Sequence, residues 1–131
     1  MKSLIVEDDF TSRVLLQEFL KPFTIAHIAV NGKEAIDVVR TALESGEPYQ
    51  LICMDIMMPE MDGQSALKHI RALEEARGIF SSQGAKIIMT TALRDMKNAM
   101  TSFKGLCDAY VVKPISKAQF LEALRQLGLI P

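Results

Sequence analysis

The sequence lacks most of the devices that staple, anchor or charge a small protein. Its 131 residues include two cysteines, Cys53 and Cys107, with no metal-ligand spacing around them. Neither a disulfide framework nor a zinc site organises the chain, and free thiols in the cytoplasm are expected. No apolar run approaches the ~18 residues that a membrane span requires. The start, Met1-Lys2-Ser3-Leu4-Ile5-Val6-Glu7-Asp8-Asp9, has one basic residue and a short apolar stretch before three acids, which does not read as a signal peptide. Neither sign of charge dominates. Lys plus Arg is 15 and Asp plus Glu is 16, for a formal net charge of −1. That balance argues against nucleic acid or an anionic membrane as a partner. The seven glycines are scattered and form no phosphate-cradling loop. The acids Glu7, Asp8 and Asp9, placed where such a loop would follow a first strand, would repel a phosphate, which counts against a nucleotide or flavin module. There is no internal repeat, low-complexity tract or interdomain linker.

What the chain does have is apolar residues, 49% of the total, enough for one core in one domain over residues 1–131. Short apolar runs predict five strands: Leu4-Ile5-Val6, Ile25 to Val30, Leu51-Ile52-Cys53-Met54, Ile87-Ile88-Met89 and Ala109-Tyr110-Val111-Val112. Runs apolar at successive positions suit strands covered on both faces. Between them lie amphipathic helices. Ala35, Ile36, Val39, Ala42 and Leu43 share one helix face, with Asn31 placed to cap it and Ser45-Gly46 to end it. The last helix, through Phe120, Leu121, Leu124 and Leu127, opens with Ser116 and Gln119 in a capping-box pattern. The first helix holds Val14, Leu15, Phe19 and Leu20. The third holds Ala66, Leu67, Ile70 and Leu73. The fourth holds Met96, Ala99, Met100 and Phe103. Strand–helix alternation repeated in this way predicts an α/β fold, a doubly wound parallel sheet with right-handed crossovers. Residues 78–85 read equally as a loop or as an extra helical turn.

In open α/β sheets, ligands bind beyond the carboxyl ends of the strands. Glu7 and Asp8 follow the first strand and Asp55 the third. Thr90-Thr91 ends the fourth and Lys113-Pro114 the fifth. Carboxylates gathered at one edge repel, and a hard divalent cation such as Mg²⁺, which prefers oxygen ligands, resolves the repulsion. A carboxylate beside it can act as a nucleophile toward phosphorus, with Lys113 and Thr91 of the right type to meet the phosphoryl group. Taken singly, Asp55 also fits a turn cap, Asp9 a helix entrance, and the Thr and Lys no function at all. The conjunction at four strand ends carries the functional reading.

The ordered set Ile5-Val6-Glu7-Asp8, Met54-Asp55-Ile56-Met57-Met58-Pro59 with Asp62-Gly63, Thr90-Thr91-Ala92 and Tyr110-Val111-Val112-Lys113-Pro114 resembles the receiver domain of two-component response regulators along the whole chain. The resemblance implies a flavodoxin-like (βα)5 sheet of order 2-1-3-4-5. It implies that Asp55 accepts a phosphoryl group from a sensor histidine kinase or a histidine phosphotransfer protein. It further implies Mg²⁺, with Mn²⁺ as a substitute, held by Asp8, Asp55 and the backbone carbonyl of Met57, with Glu7 acting through water. Thr91 and Lys113 would meet the phosphoryl group, Tyr110 would be the aromatic switch, and the Lys113-Pro114 bond would be cis. Such a protein is not an enzyme in the ordinary sense, since it catalyses only its own phosphorylation and dephosphorylation. Arg13 fits the family's first-helix pattern and reads as a surface or salt-bridge residue.

The departures from the pattern are informative too. Met57 and Leu93 occupy positions that, in the family, flank the water that hydrolyses phosphoaspartate. Both are apolar, which predicts a long-lived phosphoaspartate. The chain stops at Pro131, after the fifth helix, so no output domain is expected. Output is then expected through a protein target on the helix 4–strand 5–helix 5 face, from a monomer or a weak phosphorylation-dependent dimer. Within Met96, Met100 and Phe103, most of the apolar stripe is expected to be ordinary core. Chemotaxis-type output, a phosphorelay intermediate and a degenerate receiver acting only by contact are the competing roles. A phosphatase of the aspartate-nucleophile type is disfavoured, because Ile56 and Met57 leave no second Asp to act as acid and base.

Overall fold

The computed structural model describes residues 1–58, 63–80, 83–102 and 106–131. Pro59, Asp62, Ser81, Ser82 and Phe103, used in the sequence reading, lie outside them. The elements alternate as β1 (Ser3–Val6), α1 (Phe10–Leu20), β2 (Ala26–Ala29), α2 (Gly32–Glu44), β3 (Leu51–Asp55), α3 (Gly63–Glu75), β4 (Lys86–Ala92), α4 (Met96–Ser102), β5 (Ala109–Lys113) and α5 (Lys117–Gln126). A 3₁₀ turn, Leu93–Asp95, leads into α4. The strands are all parallel, in the order β2-β1-β3-β4-β5.

Period-2 alternation sends neighbouring residues of one strand into two different cores. Leu4, Val6, Ile52, Met54, Ile87 and Met89 meet α2 and α3 on one face. Ile5, Leu51, Cys53, Ile88 and Val111 meet α1 and α5 on the other. This two-sided burial is why the strands read as unbroken apolar runs. Side-chain caps fix where helices begin. Asp9 accepts from Ser12 N at 2.9 Å, Asn31 from Glu34 N at 2.8 Å and Ser116 from Gln119 N at 3.4 Å. Gly46, at φ +75°, follows the end of α2 in the left-handed region, which favours glycine. Among the described residues no helix is long and apolar enough to cross a membrane.

Two expectations need correcting. In α1 the buried residues are Leu16 and Leu20, with Val14 and Leu15 exposed. Three consecutive apolar residues leave the helix face ambiguous, and packing against α5, where the Phe19 and Phe120 rings lie 6.1 Å apart, selects one. In α4, among the described residues of the stripe, Ala99 is buried, Met96 half-buried and Met100 55% exposed. Residues 78–85 read equally as loop or helical turn in the sequence, and the described ones among them belong to no helix.

The helix pattern of α3 also concealed two buried ions, Arg71 and Glu74. Arg71 Nη1 donates to Glu74 Oε1 at 2.8 Å and to Ala85 O at 2.9 Å. Its Nε reaches Leu106 O at 2.8 Å and its Nη2 reaches Asp108 Oδ2 at 3.1 Å. Glu74 Oε2 accepts from Ala85 N at 2.7 Å, and Asp108 Oδ2 from Ile87 N at 2.8 Å. One guanidinium thus ties α3 to the entries of both β4 and β5. Gly84 is required beside it, since a Cβ there would run into the Glu74 carboxylate, whose two oxygens are already held. Removing one partner of a buried ion pair leaves the other charge uncompensated. Arg71→Met is therefore expected to cost about 3–5 kcal/mol in urea unfolding. Arg40→Met, which breaks only the exposed pair with Asp37, should cost less than about 1 kcal/mol. Equal losses would refute the assignment.

Candidate functional site

In a parallel sheet every strand ends at the same edge, so residues just past each strand are brought together without further design. Val6 of β1 is in register with Met54 of β3, Asp55 with Thr90 of β4, and Ala92 with Lys113 of β5. The chain leaves β1 and β3 toward opposite faces of the sheet, toward α1 and α3 respectively, which opens a crevice between their ends. Glu7, Asp8 and Asp55 line it.

One carboxylate oxygen from each of the three lies within 4.8 Å of the others. Glu7 is fully buried, Asp55 nearly so, and Asp8 is exposed. Lys113, a half-buried ammonium, bridges the buried two, with Nζ 2.6 Å from Glu7 Oε1 and 3.2 Å from Asp55 Oδ2. Asp55 Oδ1 accepts from Met57 N at 3.2 Å. Burial, with the Asp55 carboxylate beside it, pushes Glu7 from 4.5 up to about 8, outweighing the pull of Lys113. For Lys113, burial acts downward, but the two carboxylates outweigh it and its pKa is raised.

Gly63, the first residue of α3, permits this crowding. A Cβ there would lie 2.5 Å from Asp55 O and 2.9 Å from Ile56 Cα. The start of α3 therefore rests directly on the peptide that carries Asp55. The Lys113-Pro114 bond is cis, as the resemblance implied.

One polar demand in the crevice is unmet. Glu7 Oε2 is buried and has no hydrogen-bond partner among the described residues. An orphaned carboxylate oxygen within a three-carboxylate cluster is what a hard divalent cation would satisfy. The residues present therefore fit Mg²⁺.

The other expected residues are near this cluster but engaged differently. Thr91 is buried, and its hydroxyl donates to Ala92 O at 3.2 Å. Thr90, its neighbour, leaves a buried hydroxyl without a partner among the described residues. Tyr110, half-buried on β5, donates from its hydroxyl to Ala99 O of α4 at 3.3 Å. Met57 and Leu93 stand out into solvent, 70% and 74% exposed. Burial pushes the Cys53 thiol up to about 12, which makes it unreactive.

Arg13 was misread. Its guanidinium Nη1 donates to the backbone carbonyl of Glu7 at 3.1 Å. An arginine in the first turns of a helix looks like surface in sequence, because strand-end carbonyls leave no trace in residue identity. Thr90 and Gly63 stand in the motif set, but nothing in the residues assigns either a role.

A model of the response regulator receiver domain matches residues 3–125. The chain is 33% identical over 122 residues to the chemotaxis protein CheY of Halobacterium salinarum, covering 92% of this chain and 91% of that protein. The receiver domain of the histidine kinase CKI1 from Arabidopsis thaliana, crystallised with Mg²⁺ and BeF₃⁻, matches with a TM-score of 0.76 at 27% identity, covering 97% of this chain and 89% of that one. A chain in the co-crystal of the Saccharomyces cerevisiae histidine phosphotransfer protein Ypd1 with the receiver domain of Ssk1 matches with a TM-score of 0.77 at 29% identity, covering 98% and 88%. With the sheet order and the acidic crevice already in hand, these likenesses make the chain a member of the response regulator receiver domain family.

Proposed function

We propose that this receiver domain is a Mg²⁺-dependent phosphoacceptor switch with Asp55 as the acceptor. The observation that carries the reading is the setting of Asp55. One of its oxygens lies 3.2 Å from Lys113 Nζ, and its carboxylate shares a 4.8 Å cluster with Glu7 and Asp8. A receiver is a signalling module rather than a true enzyme, and its chemistry is a single transfer. An Asp55 oxygen attacks the phosphorus of a phosphohistidine on a sensor histidine kinase or phosphotransfer protein. The P–N bond breaks, the electron pair stays on the imidazole nitrogen, and an O–P bond forms. Asp8, Asp55 and the Met57 carbonyl would hold the cation directly and Glu7 through water. Mg²⁺, when bound, offsets negative charge on the carboxylates and on the incoming phosphoryl oxygens. Lys113 remains as the fixed counter-charge after transfer, and Thr91 supplies a hydroxyl once it leaves Ala92 O.

Output runs through contact with a protein target on the α4–β5–α5 face. Support comes from the hydrogen bond between Tyr110 and Ala99, which joins β5 to α4, and from exposed Met100. Movement of Thr91 toward the phosphoryl group frees space into which the Tyr110 ring turns. A sustained signal or a relay step is favoured over rapid resetting, because Met57 and Leu93 offer no hydrogen bond to an attacking water.

Three measurements test this. Incubation with acetyl phosphate and Mg²⁺ should raise the intact mass by about one phosphoryl group, and Asp55→Asn or EDTA should abolish the gain. A gain that survives in Asp55→Asn would refute the acceptor assignment. The phosphorylated form should persist for minutes or longer, and Met57→Asn should shorten its life roughly ten-fold by orienting water; decay within seconds that Met57→Asn leaves unchanged counts against the persistence. The third measurement is pH-dependent. Glu7 binds its proton more tightly folded, at about 8, than unfolded, at 4.5. Its contribution to stability in EDTA is full below 4.5 and is lost as pH rises through about 8. Cation binding displaces that proton, so the Mg²⁺-induced rise in melting temperature should be larger at about pH 8.5 than at about pH 6. Glu7→Gln should flatten the dependence, and equal Mg²⁺ effects at both pH values in the wild type would contradict it.

A further inference from the structure

Two carboxylates of the proposed cation site, Glu7 and Asp8, are consecutive, so the peptide between them sets the direction of both. β1 pairs with its neighbours only through Val6. Beyond it, Glu7 N still donates to Ala29 O at 3.0 Å, which fixes one end of the residue. The carbonyl at the other end lies past the ladder and takes its hydrogen bond from Arg13 Nη1 at 3.1 Å. Arg13 is itself fastened. Its backbone N–H donates to Asp9 O at 3.0 Å in the first turn of α1, the turn that Asp9 caps through Ser12 N. Its guanidinium lies over the Phe10 ring, 5.6 Å from the centroid. The link from Glu7 through Asp8 and Asp9 to Arg13 and back is therefore a closed ring, with the two acids on its arc.

We propose that Arg13 is a positioning residue for the cation site: by holding the Glu7 carbonyl it locks the Glu7–Asp8 peptide, so that the two carboxylates are presented together before a cation arrives. The inference rests on the reading of this edge as a divalent-cation site. It makes no use of Arg13's charge, and charge alone has the opposite consequence. A guanidinium beside a cation site repels the cation, so removing it would tighten binding. Loss of a lock loosens it, because the carboxylates must then be ordered at the moment of binding. The planar fork of arginine suits a fixed carbonyl in a way that a lysine ammonium on a flexible stem does not.

The test is titration of the full chain with Mn²⁺, with free Mn²⁺ read by electron paramagnetic resonance. The wild type, Arg13→Lys and Arg13→Met are compared, each with thermal unfolding in EDTA. Arg13→Lys keeps the charge and removes the fork. Both variants should bind Mn²⁺ roughly ten-fold more weakly than the wild type, and both should melt in EDTA within about 5 °C of it. Wild-type affinity in Arg13→Lys, or tighter binding in Arg13→Met, overturns the proposal. So does a larger fall in melting temperature, which would make Arg13 a prop of the fold. A wild type that fails to bind Mn²⁺ refutes the cation site itself, a result distinct from equal binding by the wild type and Arg13→Lys.

Discussion

Acidic groups crowded together out of water in one crevice are the constraint on which this structure depends. Glu7 and Asp55 sit at the ends of adjacent central strands, both buried, and each would be costly alone. Lys113, brought in from the far strand of the sheet, touches both and offsets only part of that cost. It does not satisfy every oxygen, since Glu7 Oε2 is left over. The parallel sheet and the helix placement make this arrangement available. They carry three distant segments of chain to one edge and cover both faces, so that little water reaches the buried pair. That residual demand is one that a cation would meet.

The opposite end of the sheet solves a related problem differently. Arg71 is buried with Glu74 and Asp108 nearby, and its donors are used on carboxylates and main-chain carbonyls at the entries to β4 and β5. Here charge is matched locally and nothing is left over on Glu74, whose two oxygens both have partners. The contrast separates a fully satisfied charge cluster from one with an unmet oxygen more clearly than burial does, since both are buried. It also means that β4, which carries Thr90 and Thr91, is held at its entry by fixed ions and ends beside a site whose charges are incompletely matched.

Much of this was legible in the residues. The strand–helix alternation, the covering of the strands on both faces and the positions of Glu7, Asp8, Asp55 and Lys113 follow from apolar runs and from which residue stands after each run, and the strand order from the family resemblance. Patterns of that kind are set by local burial, and the sequence records it. The misreadings have a common physical origin. Leu15 and Leu16 are chemically alike, and only packing against α5 decides between them. Arg71 and Glu74 look like an ordinary solvated helix surface, because their partners come from the entries to β4 and β5 and are largely main chain. Arg13 was set aside for the same reason. Main-chain acceptors are present at every residue, so a side chain that seeks one leaves no pattern to find.

The two oxygens of Asp55 are not equivalent. Met57 N holds Oδ1 and Lys113 Nζ lies against Oδ2, each at 3.2 Å. Rotation about the Cβ–Cγ bond would exchange the oxygens and disrupt both contacts on the way, so the plane of the carboxylate is defined before any donor approaches. On the proposal that Asp55 is the acceptor, a phosphoryl group arriving at this edge would meet a nucleophile whose torsional freedom was removed when the chain folded. The lone pairs available to it would be those that neither the amide nor the ammonium occupies, and they would set the direction of approach.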